Sequence, residues 1–399
     1  MFIIENILLI YFGLAVLYVF IISFTGRVKP VAPLQVKETP YHKIAVLVPA
    51  YKEDAIIAPV VEKLLQLRYP KEFFDIVVIA DSLKKSTLSR LHQLPCRVIE
   101  VHFEKSTKTK SLVKALQVLN NEYEVALISD ADNIMAPDYL QKINRAFNNG
   151  YTAVQGQRVA KNMDTPFAVL DALSEVINNH VFRKGFNAMG FSSSLIGSGM
   201  AFKADVLLDC LKQINAVGGF DRVLQLYLIE RKQWIYYLED AIVFDEKVDN
   251  SEAFSKQRRR WIASQFIYLK RYFAKGIKQL LKGNIDYFNA GVLYNIFLPR
   301  TLTLGFLFLF AVTALSFPQL FSLPQAWIGL FAANVLALLI AVPLSFYNQR
   351  FFKAILSLPK VFWIMFTLLF KLKGADKQFI HTVKTKVEVD NTLYSSHGK

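Results

Sequence analysis

Four acidic residues stand where chemistry could happen. Asp130 and Asp132 belong to the triplet Asp130-Ala131-Asp132, which closes the apolar run 125–129; Asp81 follows Ile79-Ala80; and Glu53 ends the run Val46-Leu47-Val48-Pro49-Ala50-Tyr51-Lys52-Glu53. A carboxylate pair in the loop after a buried strand can hold Mg²⁺ or Mn²⁺ against a diphosphate, because hard oxygen ligands suit those ions. In a chain this long about one Asp-x-Asp arises by chance. Position has to decide.

The elements that would position these groups can be read from periodicity. From residue 43 short β-rich runs at 44–48, 75–80, 97–103, 124–129 and 153–157 alternate with helical patterns near 56–67, 85–93, 108–120 and 138–149. That alternation is the mark of crossover units around a mostly parallel sheet, an α/β fold. In such sheets ligands bind beyond the carboxyl ends of the strands. Glu53, Asp81 and the Asp130/Asp132 pair all follow strands and so fall on that edge. A helix cap for Asp81 and a solvated loop charge for Glu53 are the bland alternatives. Acidic groups gathered at one edge of a basic domain favour a metal and nucleotide site.

The 53 % apolar content and mean hydropathy of +0.29 exceed those of ordinary soluble proteins. The excess is concentrated at 2–24 and from about 291 to 370. Residues 2–24 are long enough to cross a bilayer, with Glu5 as their only charge, and Arg27 and Lys29 follow. A cleaved signal would carry its basic residues ahead of the apolar core, so a retained span is expected, with the following domain cytoplasmic. Two more spans are expected at 302–317 and 326–346, and an interfacial or re-entrant helix or a short span at 356–370. The expected organisation is an N-terminal membrane helix (1–28), a cytoplasmic domain (40–285), membrane and interfacial helices (286–372) and a basic tail (373–399). A multi-pass protein of the cell membrane is expected.

The net charge of +15 comes from 47 basic and 32 acidic residues. Its clusters at 105–114, 256–282 and 371–386 suit anionic membrane lipid, and no nucleic-acid partner is expected. Cys96 and Cys210 are packing residues in a reducing compartment, and the six histidines contain no pair at zinc-ligand spacing.

With these residues in hand, the stretch 46–53 resembles the opening of family 2 glycosyltransferases, enzymes of the GT-A fold. The resemblance runs through Ile79-Ala80-Asp81, Lys110, Asp130-Ala131-Asp132 and Gly197-Ser198-Gly199 to Gln257-Arg258-Arg259-Arg260-Trp261, covering roughly 43–275. The last is the QxxRW motif of membrane members similar to cellulose and hyaluronan synthases. The resemblance implies a nucleotide-sugar donor bound by Ala50, Tyr51, Glu53 and Asp81 around the base and ribose. It places Lys110 on the diphosphate, although Thr109 stands where the family usually has glycine, and it leaves a solvated helix lysine as the alternative. Asp132 would ligate the metal, Asp130 would support the metal or the ribose, and Gly199 would let the backbone approach the sugar. On a helix expected over 251–273, Gln257, Arg260 and Trp261 share a face, with Trp261 stacking on an acceptor sugar and Arg260 meeting the diphosphate.

An inverting transfer needs a general base, and in the family it is the Asp of a Thr-Glu-Asp-like motif. Leu238-Glu239-Asp240 looks similar but lies 17 residues before Gln257. The family's usual gap, roughly twice that, points instead to Gly219-Phe220-Asp221. Asp221 is the favoured base and Asp240 the rival.

The expected activity is inverting transfer of a sugar, from a UDP-sugar for preference, to a polysaccharide or lipid-linked glycan with Mg²⁺ or Mn²⁺. The alternatives are a catalytically impaired scaffold or partner in a polysaccharide export complex, and a transporter, against which the few spans and the large interposed domain argue.

Overall fold

A computed structural model describes residues 2–36, 39–214, 219–372 and 386–390. The tail expected at 373–399 therefore lies, apart from 386–390, outside the described residues. The chain divides into two compact units. One comprises residues 1–31, 164–191 and 248–375, and the other 32–163, 192–247 and 376–399.

The second unit is an α/β sheet with flanking helices. Its strands are β1 (Ile44–Tyr51), β2 (Phe74–Asp81), β3 (Arg97–Val101), β4 (Val125–Ile128), β5 (Ile134–Met135), β6 (Ala153–Ala160), β7 (Met200–Lys203) and β8 (Ile235–Asp245). They lie in the order β3-β2-β1-β4-β7-β6-β8-β5. β1, β2, β3 and β4 run parallel, as the crossover pattern predicts. β7 is antiparallel to both β4 and β6, and β5 is antiparallel to β8. The sheet is thus mixed, with the reversed strands β7 and β5 lying beyond the parallel run of β1 to β4. The helices Ile57–Leu64, Lys85–His92, Lys108–Leu119 and Tyr139–Asn148 fill the expected crossovers. Runs such as Ile44 to Val48 and Ile76 to Ile79 are wholly buried because parallel strands are covered on both faces.

β8 pairs with β6 through a break in register. Leu238 opposes Gly156 and Ile242 opposes Gln157, so Glu239, Asp240 and Ala241 bulge out of the ladder.

The first unit is helical. Phe2–Val28 and Pro324–Ala341 are long and apolar enough to cross a membrane, and two bent pairs, Ile285–Ile296 with Arg300–Ser316 and Gln349–Ile355 with Leu358–Lys371, raise the number of candidate spans to as many as four. Pro299 supplies one of the breaks, since it has no N–H to continue a helix. Phe12, Val16, Leu307, Ala314 and Trp327 form a core, while Ile3, Ile7, Ile10, Leu14, Leu17 and Phe24 leave an exposed apolar stripe suited to lipid. Glu5, in the first turn of the first span, accepts the backbone N–H of Ser322 at 2.9 Å, just ahead of Pro324–Ala341.

Candidate active site

In the second unit the carboxyl ends of β1, β2 and β4 gather the sequence-expected residues. β1 ends in Ala50 and Tyr51, which pair with Ala80 and Asp81 of β2. The Lys52 N–H bonds the Asp81 carbonyl at 3.1 Å, and Lys52 and Ser82 both adopt positive φ, which turns the two loops sharply off the sheet. Asp81 is 2 % exposed. Its Oδ1 accepts from Ser82 Oγ at 3.0 Å, and its Oδ2 is buried with no hydrogen-bond partner among the described residues. Half-buried Tyr51 carries the Lys52 ammonium over its ring at 5.2 Å, and Glu53 is half-buried on the same loop. Asp54 ties the β1 and β2 loops together by accepting from Lys84 N at 2.8 Å and Thr87 Oγ1 at 2.6 Å. Sequence reading passes over this tie.

One residue after β4, the Asp130–Asp132 loop is densely wired. The Asp130 N–H donates to Ser198 Oγ at 2.8 Å, and Ser198 Oγ bonds Asn133 Oδ1. Asn133 Nδ2 donates to Asp132 Oδ1 at 3.2 Å and to Asp245 Oδ1 at 3.4 Å. Buried Lys161 donates to the Asp132 carbonyl, and also to the Lys386 carbonyl at 2.7 Å. Asp245 in turn pairs with Lys247 at 2.8 Å. Desolvation raises the Asp130 carboxyl above its ordinary range; neighbouring Lys108 pulls it down, and Asp132 and Asp245 push it up.

The lysine on Asp130 is Lys108. Its ammonium pairs with the Asp130 carboxylate and donates to the Gly197 carbonyl at 2.7 Å. Lys110, two residues on, instead donates to the Lys105 carbonyl at 3.0 Å and lies over Phe103. Residues two apart on a helix point to different faces.

The turn Gly197-Ser198-Gly199 enters β7. Gly197 and Gly199 have φ of 84° and 60°. Buried Gln155 clamps the turn, its Nε2 donating to the Ser198 and Gly199 carbonyls at 3.0 Å and its Oε1 accepting from Ile196 N at 3.1 Å. A methyl group on Gly199 would sit 2.6 Å from Val243, so the close approach requires glycine.

Asp221 lies in the first turn of the helix Phe220–Glu230, entered through Gly219 at φ 66°. A β-carbon on Gly197 would be 3.9 Å from Asp221 Oδ2, and Lys108 lies 5.6 Å over the Phe220 ring. Asp221 therefore shares its surroundings with Asp130, Lys108 and Gly197. Asp240 is exposed on the β8 bulge, where its carbonyl accepts from Lys142 at 2.8 Å.

Gln257, Arg260 and Trp261 belong to the first unit, on the helix Ser251–Leu281. Gln257 Oε1 is buried without a hydrogen-bond partner among the described residues, Arg260 is half-buried and Trp261 is 38 % exposed. Burial raises the Cys96 and Cys210 thiols to about 11, which removes both as thiolate nucleophiles at neutral pH.

Among the described residues no three His, Cys, Asp or Glu side chains converge to hold a metal. Asp130 and Asp132 nevertheless fit one, because Mg²⁺ and Mn²⁺ are commonly held by one or two carboxylates plus substrate phosphates and water. The Lys108 ammonium already occupies Asp130 as a cation.

Comparison with known proteins points the same way. A family described as glycosyltransferase like family 2 matches residues 40–264. Two curated relatives, the beta-monoglucosyldiacylglycerol synthases of Trichormus variabilis and a Nostoc species, are each 26 % identical over 226 residues, which is 55 % of this chain and 48 % of theirs. The chain thus matches about half the length of these relatives. A mannosyltransferase from Pyrobaculum calidifontis, solved with GDP-mannose and Mn²⁺, shares the fold with a TM-score of 0.51 at 17 % identity, over 92 % of this chain and 96 % of that one.

Proposed function

This chain belongs to glycosyltransferase family 2, and from that premise we propose that it transfers a sugar, with inversion, from a nucleotide-sugar donor to a hydroxyl of a lipid-borne acceptor at the membrane. The observation that supports this reading is the cluster of Asp130, Lys108, Gly197 and Asp221 beyond the end of β4, a carboxylate, an ammonium and a base candidate close together. A lipid acceptor is favoured over a polysaccharide by the exposed apolar stripe on the first span and by the relatives, whose names specify a glucosylated diacylglycerol. The first donor to test is UDP-glucose.

Asp81, with its buried and unpartnered Oδ2, accepts from the base imide, and Tyr51 and Glu53 frame that pocket with Ala50. Asp130 and Asp132 would hold a divalent cation, which when bound would neutralise charge on the departing diphosphate. Lys108 meets the same diphosphate as a point charge, with Lys110 outside that contact. Asp221 takes the proton from the acceptor hydroxyl as its oxygen bonds the anomeric carbon from the face opposite the nucleotide. The bond from that carbon to the β-phosphate oxygen breaks, its electron pair leaving with the nucleoside diphosphate. By the family motif, Gln257, Arg260 and Trp261 would bind the acceptor or the diphosphate, with Trp261 on the acceptor. Arg27 and Lys29 at the end of the first span orient the catalytic unit to the cytoplasm of a multi-pass membrane protein.

The test uses the full chain in lipid nanodiscs containing 1,2-diacylglycerol, supplied with UDP-glucose or a panel of other UDP- and GDP-sugars. Glucosyl lipid and UDP should appear together with Mn²⁺ or Mg²⁺ and cease with chelator. Failure of every donor to turn over would leave a non-catalytic GT-A scaffold.

A further inference from the structure

The first unit holds a buried ion pair that the motif reading does not use. Asp171, on the helix Pro166–Asn179, bonds the guanidinium of Arg258, on the helix Ser251–Leu281. Both residues are under a tenth exposed, at 6 % and 8 %. Arg258 is one of the variable positions of the Gln257-to-Trp261 motif, yet its guanidinium lies 4.3 Å from the Trp261 ring centre and 4.8 Å from that of Phe254. Trp261 keeps 38 % of its surface exposed, and Phe254 is buried.

The arrangement forms a chain of constraints. A buried guanidinium is costly unless paired, so the Asp171 carboxylate fixes where Arg258 can sit. A planar cation stacks on an aromatic face as a point charge cannot, so Arg258 fixes one side of the indole. Arg258 and Trp261 are three positions apart, which puts them on one helix face. A ring that binds a ligand by stacking gains from being held beforehand, because little freedom is then lost on binding.

We propose that Asp171 and Arg258 are positioning residues that hold Trp261 ready as the acceptor platform. The inference rests on the reading of Trp261 as an acceptor-side residue. It extends the functional set from the QxxRW motif to Asp171, a position some 90 residues earlier in the sequence. The simpler alternative is that the pair only staples two helices together, and the two roles separate experimentally.

The test uses the full chain in diacylglycerol nanodiscs with UDP-glucose. The double variant Asp171→Leu/Arg258→Met removes both charges at once, a replacement that buried ion pairs usually tolerate in stability. It should keep its melting midpoint and hold the donor KM within about twofold, while the acceptor KM rises about tenfold. Trp261→Ala should raise the acceptor KM equally, and adding it to the double variant should change nothing further, since coupled residues are not additive. Arg258→Lys, which keeps the charge but not the plane, should give an intermediate rise even if the double variant folds poorly. An unchanged acceptor KM, or equal changes for donor and acceptor, would overturn the proposal.

A second readout stands apart from turnover. Trp261 emission, obtained as the difference between each protein and its Trp261→Phe counterpart, should become about twice as accessible to acrylamide in the double variant. Unchanged quenching overturns the positioning role. If wild type glucosylates no diacylglycerol yet the quenching shift is present, the acceptor assignment fails and the Asp171–Arg258 hold on Trp261 stands.

Discussion

Two edges of one sheet treat their carboxylates differently. At the β4–β7 edge Asp132 is bound into a web with Asn133, Ser198, Asp245 and Lys161, and Asp130 is met by Lys108. At the β1–β2 edge Asp81 is more deeply buried, yet one of its oxygens has no partner among the described residues. The first edge has most of its polar atoms bonded to neighbouring side chains before any ligand arrives. The second keeps an acceptor in reserve, and burying a polar group unsatisfied costs free energy that a ligand can recover. A wired edge suits a doubly charged diphosphate, which demands fixed charge, and a partly unsatisfied edge suits a neutral base, which supplies its own donor.

The largest expected effect separates the base from its rival. Asp221→Asn should lower kcat by about a thousandfold, within the range for loss of a general base, with the donor KM little changed. Asp240→Asn should leave kcat within about twofold, since Asp240 sits exposed on the β8 bulge while Asp221 lies by Gly197 and Lys108. Steady-state rates for the two proteins decide the matter, and the opposite result would move the base to the bulge.

A smaller effect probes the wiring itself. Asn133→Ala removes the amide that joins Ser198 to Asp132 and Asp245, although Asn133 touches no substrate in the proposed scheme. Groups that orient metal-holding residues typically contribute ten- to hundredfold in affinity. The Mn²⁺ concentration giving half-maximal activity should therefore rise by about tenfold or more, measured by titrating metal into chelator-treated protein. An unchanged requirement would make the web structural only.

Much of the parallel half of the sheet was legible because its strands are uninterrupted apolar runs, and the ligand edge follows from that topology. The placement of Asp130 and Asp132 just after β4 was legible for the same reason. β8 was not, because Glu239-Asp240 interrupts its apolar pattern, and only the bulge shows that one strand continues through them. Lys108 was hidden behind Lys110, since composition cannot say which of two lysines two residues apart faces the carboxylate. Asn133, Gln155 and Ser198 are polar residues in a buried setting, and nothing in their spacing announces it. The helix Pro166–Asn179 opens with Pro166 at its first turn, a start signal that the β-rich stretch before it obscures.

The mildest change sharpens the contrast between the edges most directly. Asp81→Asn keeps the shape of the side chain and its contact with Ser82, but removes the buried charge and the acceptor at Oδ2. If that oxygen is kept unsatisfied for the base, the substitution should stabilise the protein by about 1 kcal/mol, raising the melting midpoint of the α/β unit by a few degrees. The donor KM should rise about tenfold, with the acceptor KM unaffected. The two effects have opposite signs for fitness, as expected where a site holds a strained group for function. A fall in the melting midpoint with an unchanged donor KM would assign Asp81 to the β1–β2 turn, and the contrast between a wired and a waiting edge would collapse into two structural networks.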